Sequence, residues 1–304
     1  MPPPAGPTLQ LDRVSRRYGD TLALDGLSLT VPSGEIVGFV GSNGAGKTTA
    51  MRIALGILAA DDGQVLWDGR PAERDLQRTF GYMPEERGLY PKMQVGDQLR
   101  YLAALHGFDA AAARESTDRW IDRLGLADRA GQNIEELSLG NQQRVQLGAA
   151  LVHEPDVLIL DEPFSGLDPI GTDVMSDVLR ERAAAGAAVV FSSHQLELVE
   201  RLCHRVAIVD AGRLVASGTT EELRSRRSGV RLRVDVDGGG EGDWAESLAG
   251  VTVVAGDDGA VVVELADGVD DQAVLDAARR AGPVRAFAPV QPSLAELFRE
   301  VIGR

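Results

Sequence analysis

Along the N-terminal part of the chain, the apolar positions change from a loose alternation to a continuous run. Residues 9–30 alternate between apolar and polar side chains and are interrupted by the turn Tyr18-Gly19-Asp20, which predicts antiparallel strands. Residues 36–40 are continuously apolar over the length of one buried strand, and a glycine-rich loop and a helical stretch over 47–58 follow at once. Strand, glycine loop and helix in this order is a phosphate-binding arrangement.

The middle of the chain alternates helical stretches with short apolar runs. Residues 95–129 have helical composition with a break at Gly107, and we interpret them as part of a helical insertion spanning about 88–140. Two apolar runs at 157–160 and 187–192 are separated by a helical stretch over 172–185. This alternation predicts a parallel sheet and an α/β class for the first domain.

The pattern changes again after the charged stretch 221–228, which we interpret as a linker. Residues 229–304 predict strands at 230–236, 251–255, 260–265 and 284–288, with a turn at Asp258-Gly259, helices at 243–249 and 270–281, and a last helix opened by Pro292-Ser293. The order βαββαβ is that of a small ferredoxin-like α+β domain. We therefore predict two domains, 1–228 and 229–304.

Charge and composition narrow the classes of partner. The 304 residues carry 31 Lys plus Arg against 46 Asp plus Glu, a net charge of −15, which argues against a nucleic-acid partner. Cys203 is the single cysteine, so a disulfide framework and a thiolate metal cluster are excluded and a reducing compartment is expected. The sequence contains no run of about 18 apolar residues, which is the length needed to span a bilayer. Work at a membrane would therefore need a partner.

The glycine-rich loop has the spacing G-x-x-x-x-G-K-[ST] between a predicted strand and a predicted helix. Glycines let backbone N–H groups surround phosphate oxygens, Lys47 supplies a positive charge to the β- and γ-phosphates, and Thr48 offers a hydroxyl to Mg²⁺. A chance glycine-rich loop is the alternative. The candidate phosphate contacts are Gly41, Ser42, Asn43, Gly44, Ala45, Gly46, Lys47, Thr48 and Thr49.

Two adjacent carboxylates follow the apolar run 157–160, at the strand end where the phosphates are expected. Asp161 is predicted to hold Mg²⁺ directly or through water. Glu162 is predicted to polarise the water that attacks the γ-phosphate, since phosphoryl transfer requires mainly positioning and charge stabilisation from the protein. A merely polar strand end is the alternative.

Between these two motifs lies Leu137-Ser138-Leu139-Gly140-Asn141-Gln142-Gln143-Arg144, followed by a helical run. This stretch resembles the signature loop of the ATP-binding cassette (ABC) family, usually L-S-G-G-Q; Ser138 and Gly140 match, whereas Leu139 and Asn141 depart. Ser138 can cap the next helix, whose free N–H groups form an anion site. The resemblance implies that Ser138, Gly140 and Asn141 grip the γ-phosphate held by an opposite subunit. Without the other motifs, this stretch would be interpreted only as the capped start of a surface helix.

Other positions match the family in register over about 9–223. Tyr18 resembles the aromatic residue that stacks on adenine, with an aromatic packed in the core as the alternative. The stretch Ser165-Gly166-Leu167-Asp168 resembles the loop that crosses the dimer interface, which makes Asp168 a candidate nucleotide contact. His194 matches the switch histidine at the γ-phosphate, so the implied catalytic set is Glu162, His194 and Lys47.

One position departs from the family. Most members place a glutamine that reaches the metal after the stretch at 79–84, and this chain has Glu85. We hypothesise that the Glu85 carboxylate still reaches the metal, because amide and carboxylate oxygens both suit Mg²⁺. A solvent-exposed acid beside Glu86 is the alternative.

The stretch 85–93 and the closing sequence 292–298 resemble the ATPase subunits of ABC-2-type exporters, in the antibiotic-resistance and sodium-extrusion branch. In that branch Leu89, Tyr90 and Met93 are candidate apolar contacts for the coupling helix of a permease, with ordinary packing as the alternative.

The resemblance implies the P-loop ABC ATPase fold, with a parallel core sheet, an antiparallel β subdomain, the helical insertion and the ferredoxin-like tail. It implies an ATP-hydrolysing motor that needs ATP and Mg²⁺ and drives a separate ABC-2-type permease from the cytoplasmic face of the membrane. The motor pairs with a second ATPase subunit, for which a homodimer is expected and a heterodimer is the alternative. A cassette ATPase acting without a permease is the alternative, but this chain has one phosphate loop and no sustained heptad repeat. A P-loop kinase would leave the signature loop and His194 unexplained.

Overall fold

The chain folds into two units, 1–219 and 220–304, each with its own hydrophobic core. The computed structural model describes residues 6–86, 88–225, 230–238, 242–257, 260–266 and 268–303. The predicted turn at Asp258-Gly259 and the linker residues 226–228 lie outside the described residues.

The strands of the first unit are β1 (Thr8–Tyr18), β2 (Thr21–Pro32), β3 (Ile36–Gly41), β4 (Asp62–Trp67), β5 (Arg70–Pro71), β6 (Gly81–Met83), β7 (Val157–Leu160), β8 (Ala188–Ser192), β9 (Arg205–Asp210) and β10 (Arg213–Gly218). Its helices are α1 (Lys47–Ala54), α2 (Arg74–Gln77), α3 (Val95–Leu105), α4 (Ala110–Arg123), α5 (Leu139–Leu151), α6 (Pro169–Ala184) and α7 (Leu196–Leu202).

Two sheets organise this unit. The central sheet has the order β10-β9-β3-β8-β7-β6, in which β9, β3, β8, β7 and β6 run parallel and β10 pairs antiparallel with β9. The antiparallel sheet has the order β2-β1-β4-β5. The core lies between the two sheets and α1, with Leu27, Phe39 and Met51 among its buried side chains. The predicted α/β class and antiparallel subdomain are confirmed.

Helix limits differ from the sequence expectation where capping residues decide them. The helix predicted over 47–58 ends at Ala54, because Gly56 takes a left-handed φ of +65°. The helix predicted over 172–185 begins earlier, at Pro169, since the Asp168 side chain accepts a hydrogen bond from the Gly171 N–H at 2.6 Å. The helical stretch 95–129 is two helices, α3 and α4, followed by a 3₁₀ turn at Ala127–Arg129.

The second unit comprises α8 (Thr220–Ser225), β11 (Val230–Val236), α9 (Asp243–Glu246), β12 (Val251–Asp257), β13 (Ala260–Leu265), α10 (Asp271–Ala281), β14 (Val284–Pro289) and α11 (Leu294–Ile302). Its antiparallel sheet has the order β12-β13-β11-β14, which is the ferredoxin-like arrangement. Among the described residues, no helix has both the length and the apolar character needed to cross a bilayer.

The division between the units falls at 219/220, nine residues before the predicted boundary at 228/229. The reason is the position of α8, which packs against α11. Its Arg224 donates through Nε to the Pro292 carbonyl at 3.0 Å and through a guanidinium N–H to Gln291 Oε1 at 2.9 Å. The charged stretch that the sequence assigns to a linker therefore begins with a helix of the second unit.

Candidate functional site

The phosphate loop connects β3 to α1 and depends on glycine at two close approaches. A Cβ at Gly41 would lie 2.4 Å from the Val209 carbonyl oxygen, so a side chain there would collide with β9. Gly46 has a left-handed φ of +100°, and a Cβ on it would lie 2.6 Å from the Ala23 carbonyl oxygen. The chain can therefore bring its backbone N–H groups into a tight loop at the start of α1.

The Lys47 side chain folds back into this loop. Its Nζ donates to the carbonyl oxygens of Gly41 at 2.7 Å and Ser42 at 3.0 Å. Burial lowers the pKa of Lys47, and the negative charges of Glu162, Asp161 and Glu85 oppose that shift. The ammonium group thus interacts electrostatically with all three carboxylates.

Asp161 follows β7 and has both carboxylate oxygens engaged. Its Oδ2 accepts from the Thr48 hydroxyl at 2.8 Å, and its Oδ1 accepts from the Ser192 hydroxyl at 2.6 Å. The backbone N–H of Asp161 donates to the Met83 carbonyl at 2.7 Å. Because Asp161 is 98% buried, these bonds fix the direction of its carboxylate towards α1.

Glu162 sits at a strained turn directly after Asp161. Its φ is +49°, in the left-handed region that non-glycine residues rarely adopt. Its side-chain Oε2 lies 2.9 Å from His194 Nδ1. Glu162 is largely buried whereas the His194 side chain is 65% exposed, so the imidazole covers the carboxylate from the solvent side.

A cavity of about 300 Å³ joins these groups, lined by Ala23, Asn43, Gly44, Gly46, Lys47, Thr48, Thr49, Glu85, Asp161 and Glu162. The structure thus brings together most of the predicted phosphate loop, both carboxylates and Glu85. The remaining predicted residues are not part of its lining: Tyr18, Gly41, Ser42, Ala45, Ser138, Gly140, Asn141, Asp168 and His194.

The oxygen donors of this cavity fit a hard divalent cation. The hydroxyl of Thr48 and the carboxylate of Asp161 are in contact, and the Glu85 carboxylate faces the same space. Glu85 is solvent-exposed, as its alternative interpretation expects, and it also lines the cavity; a contact with a metal stays a prediction. Its neighbour Arg87 lies outside the described residues.

Tyr18 ends β1 with its side chain 46% exposed. The Arg16 guanidinium lies 5.2 Å from the ring centroid, a cation–π distance. The alternative of an aromatic packed in the core is therefore wrong. An exposed ring remains available for stacking on a flat ligand.

The signature loop caps α5. The Ser138 hydroxyl accepts a long hydrogen bond of 3.4 Å from the Asn141 N–H, as expected of an N-cap residue. Leu139 is 44% exposed and lies against Gly166, where an added Cβ would be only 2.6 Å from it. The signature loop and the loop that ends at Asp168 are thus neighbours on one surface of the same chain.

Three further residues at the site were missed by the sequence reasoning. Ser192 bonds to both carboxylate-bearing residues. Gln143 donates to the carbonyls of Pro163 at 3.0 Å and Glu162 at 3.3 Å, and Gln146 donates to the Pro84 carbonyl at 2.5 Å. A signal existed for the two glutamines, since polar residues three apart among the apolar positions of a helix indicate a buried polar face. A strand-end serine gives no such signal.

Family profiles match both units. The profile described as "ABC transporter" matches residues 24–165, which contain the phosphate loop, the signature loop and the two carboxylates. The profile described as "ATP-binding protein DrrA1-3-like, C-terminal domain" matches residues 218–302.

Individual proteins that are similar to this chain belong to the same family as the profiles. The ABC transporter ATP-binding protein YhaQ of Bacillus subtilis is 37% identical over 295 residues, covering 97% of this chain and 98% of its own length. The Nod factor export ATP-binding protein I of Burkholderia thailandensis is 36% identical over 244 residues, with 79% and 80% covered. A solved ATP-binding subunit of an ABC transporter superposes with a TM-score of 0.67 at 29% identity, covering 72% of this chain and 92% of that structure.

Proposed function

This chain belongs to the ABC transporter family, as one of its ATP-binding subunits, and from that premise we propose that it is the ATP-hydrolysing motor subunit of an exporter. It is an ATPase, like the cassettes that it matches in sequence and fold. Similarity to a Nod factor export protein and to the DrrA-like C-terminal profile supports export. The observation that carries the proposal is one cavity in which Lys47, Thr48, Asp161 and Glu162 meet.

ATP binding begins at the phosphate loop. The N–H groups at the start of α1 and the positive end of that helix attract the phosphate oxygens. The Lys47 ammonium, which donates to two loop carbonyls, can exchange those bonds for bonds to the β- and γ-phosphates. Tyr18, exposed at the end of β1, is the proposed stacking surface for adenine.

Mg²⁺ is the cation we propose for the oxygen donors of Thr48, Asp161 and Glu85. When bound, it supplies positive charge that neutralises the phosphate oxygens. The pairing of Thr48 with Asp161 holds both donors in fixed orientation. Glu85 adds a carboxylate where most family members have an amide.

Hydrolysis depends on the Glu162 carboxylate, which accepts the proton of the attacking water as general base. His194 Nδ1 lies 2.9 Å from that carboxylate, and the proposed role of the imidazole is to orient the carboxylate and donate to the γ-phosphate. The φ of +49° at Glu162 places a strained turn just after the end of β7. The protein thereby positions water and phosphate rather than forming a covalent intermediate.

A second copy of the chain completes the nucleotide site in this proposal. The signature loop with Ser138, Gly140 and Asn141, and the neighbouring loop ending at Asp168, form one surface outside the cavity of their own chain. Such a surface can contact ATP bound by a partner. We propose a homodimer with two ATP sandwiched between the subunits.

The partner in the membrane is proposed to be a separate ABC-2-type permease, which would hold this subunit at the cytoplasmic face. Tyr90 is 51% exposed and packs edge-on against Tyr101, itself 44% exposed, with 6.2 Å between ring centroids. Leu89 and Met93 lie beside Tyr90 in the chain and are partly exposed. This exposed aromatic pair supports the proposed contact with a coupling helix.

The decisive test is Glu162→Gln. Because the amide cannot accept a proton from water, we expect steady-state ATPase activity to fall roughly 100-fold or more while ATP affinity is preserved. ATP-bound dimer should accumulate in gel filtration. Glu115→Gln, an exposed acid on α4, is the matched control and should leave turnover and dimerisation unchanged. A monomeric Glu162→Gln variant with normal turnover would overturn the proposal.

A further inference from the structure

One buried hydroxyl connects the two carboxylate-bearing residues of the site. Ser192 ends β8 and is completely buried. Its Oγ donates to Asp161 Oδ1 at 2.6 Å and accepts from the backbone N–H of Glu162 at 2.8 Å. A serine hydroxyl has a single proton, so donation to the carboxylate leaves its lone pairs for the Glu162 N–H. The two bonds therefore have a fixed direction.

The hydrogen bonds extend into a chain across the site. The Thr48 hydroxyl donates to one oxygen of Asp161, the Ser192 hydroxyl donates to the other, and the Glu162 N–H donates to Ser192. Through Ser192, the phosphate-loop helix, β7 and β8 are connected by hydrogen bonds outside the backbone ladder. A displacement of the Asp161 carboxylate would therefore also displace the Glu162 backbone through Ser192.

The Glu162 peptide needs such support because its φ of +49° is strained. Ser192 holds the N–H side of this residue. Gln143, from α5, holds the opposite side by donating to the Glu162 carbonyl at 3.3 Å and the Pro163 carbonyl at 3.0 Å. A strained backbone persists only where its surroundings determine it from several directions, and here two buried side chains do so.

We propose that Ser192 is a positioning residue for ATP hydrolysis: its buried hydroxyl holds the Glu162 backbone in the left-handed turn and aligns Glu162 with Asp161. Ser192 does not line the cavity, so it acts through these two residues and does not contact the phosphates itself. This inference rests on the proposed ATPase role of Glu162. It adds to that role a second residue, Ser192 on β8, that affects the rate of ATP turnover.

The test compares three full-length variants. Ser192→Ala removes the hydroxyl, Ser192→Thr retains one, and Ser116→Ala removes a different buried hydroxyl, which donates to the Val152 carbonyl at 2.6 Å away from the site. For each variant, kcat and KM for ATP, the affinity for a fluorescent ATP analogue and the free energy of unfolding are measured. Ser192→Ala loses two buried hydrogen bonds and Ser116→Ala loses one, so the free energy of unfolding of each variant shows whether a change in kcat merely follows a loss of stability.

We expect Ser192→Ala to lower kcat roughly 10- to 100-fold, since misplacement of a catalytic group by about 1 Å has effects of this size. KM and analogue affinity should stay within about threefold of the wild type, because the phosphate loop keeps its contacts. Ser192→Thr should recover most of the lost turnover, and Ser116→Ala should lose stability without losing kcat.

Unchanged kcat in folded Ser192→Ala would overturn the inference, as would equal losses of kcat in Ser192→Ala and Ser116→Ala. If Ser192→Ala fails to fold, absence of wild-type-like kcat in a folded Ser192→Thr variant would count against it, and recovery would support it. Glu162→Gln separates the two proposals: if that variant loses turnover and Ser192→Ala does not, only the role of Ser192 fails.

Discussion

At the scale of single residues, the environment of the phosphate loop decides the chemistry of Lys47. Burial lowers its pKa, and Glu162, Asp161 and Glu85 act against that effect, so the lysine and the three acids form one electrostatic group. Glu85 is the member of this group that departs from the family pattern. Its charge is therefore the informative one to remove.

We predict that Glu85→Gln raises the Mg²⁺ concentration needed for half-maximal ATPase activity severalfold. The amide keeps an oxygen donor but loses the negative charge that attracts the cation, while maximal turnover at saturating Mg²⁺ should be retained. A titration of ATPase rate against Mg²⁺ measures this. Glu86→Gln is the matched control, because Glu86 is exposed and does not line the cavity. Identical Mg²⁺ dependence in Glu85→Gln and wild type would exclude the metal role.

At the scale of secondary-structure elements, the ends of α3 and α5 meet through two histidines. The rings of His106 and His153 stack with their centroids 3.7 Å apart and an angle of 7° between planes. His153 Nε2 donates to the Thr79 carbonyl at 3.2 Å, and Nδ1 is buried without a partner. Burial, and then the neighbouring His106, lower the pKa of His153 to about 4. Neither ring can take a proton here without cost.

This pair predicts acid sensitivity of the first unit. Unfolded His153 takes up a proton near pH 6.5 and the folded residue only near pH 4, so the unfolded state binds more protons between these values. Stability is then fully present above about pH 6.5 and is lost as the pH falls towards 4, by about 2 to 3 kcal/mol.

Urea unfolding at a series of pH values measures the loss, and His153→Asn, which cannot titrate, is the comparison. The carboxylates titrate in both proteins, so the difference between their curves isolates His153. If the two curves run parallel between pH 6.5 and 4, the histidine pair does not control acid stability.

At the scale of the whole molecule, the described residues form a separate hydrophobic core in each unit, and the candidate nucleotide cavity lies in the first unit. The residues proposed for ATP and metal binding all lie within 1–219, and a separate core around Leu232, Val234 and Val263 stabilises the second unit. The net charge of −15 is spread over both units, and 14 acidic against 7 basic residues lie beyond residue 228. In the proposed function, the site attracts phosphate locally, through Lys47 and the N–H groups of the loop, against this overall field.

We predict that thermal unfolding of the full chain shows two transitions, only one of which rises with Mg²⁺ and ATP. A ligand stabilises the unit that binds it, by an amount that grows with the logarithm of its concentration. Differential scanning calorimetry with increasing Mg-ATP, in the non-hydrolysing Glu162→Gln background, tests this. A chain ending at Thr219 should keep the ATP-sensitive transition and lack the other. A single transition that shifts as a whole would show that the two units unfold together.

Local sequence patterns determined much of the fold and of the candidate site of this protein. Alternation and continuous apolar runs predicted the sheets, and the spacing of Gly41 to Thr48 predicted the phosphate loop, because both depend on residues close together in the chain. The order of elements predicted the ferredoxin-like tail. The resemblance to the ABC family, together with a single phosphate loop in the chain, then indicated an ABC ATPase, and the relatives confirm this.

Only the tertiary structure decided which distant residues share a hydrogen bond. Thr48 reaches Asp161 across 113 positions, and Ser192 reaches Glu162 across 30. The boundary between the two units at Thr220 depended in the same way on contacts of Arg224 with Gln291 and Pro292, far along the chain. Parallel strands bring their carboxyl ends to one edge of a sheet whatever the length of the connections between them, so these pairings depend on strand order and have no local pattern in the sequence.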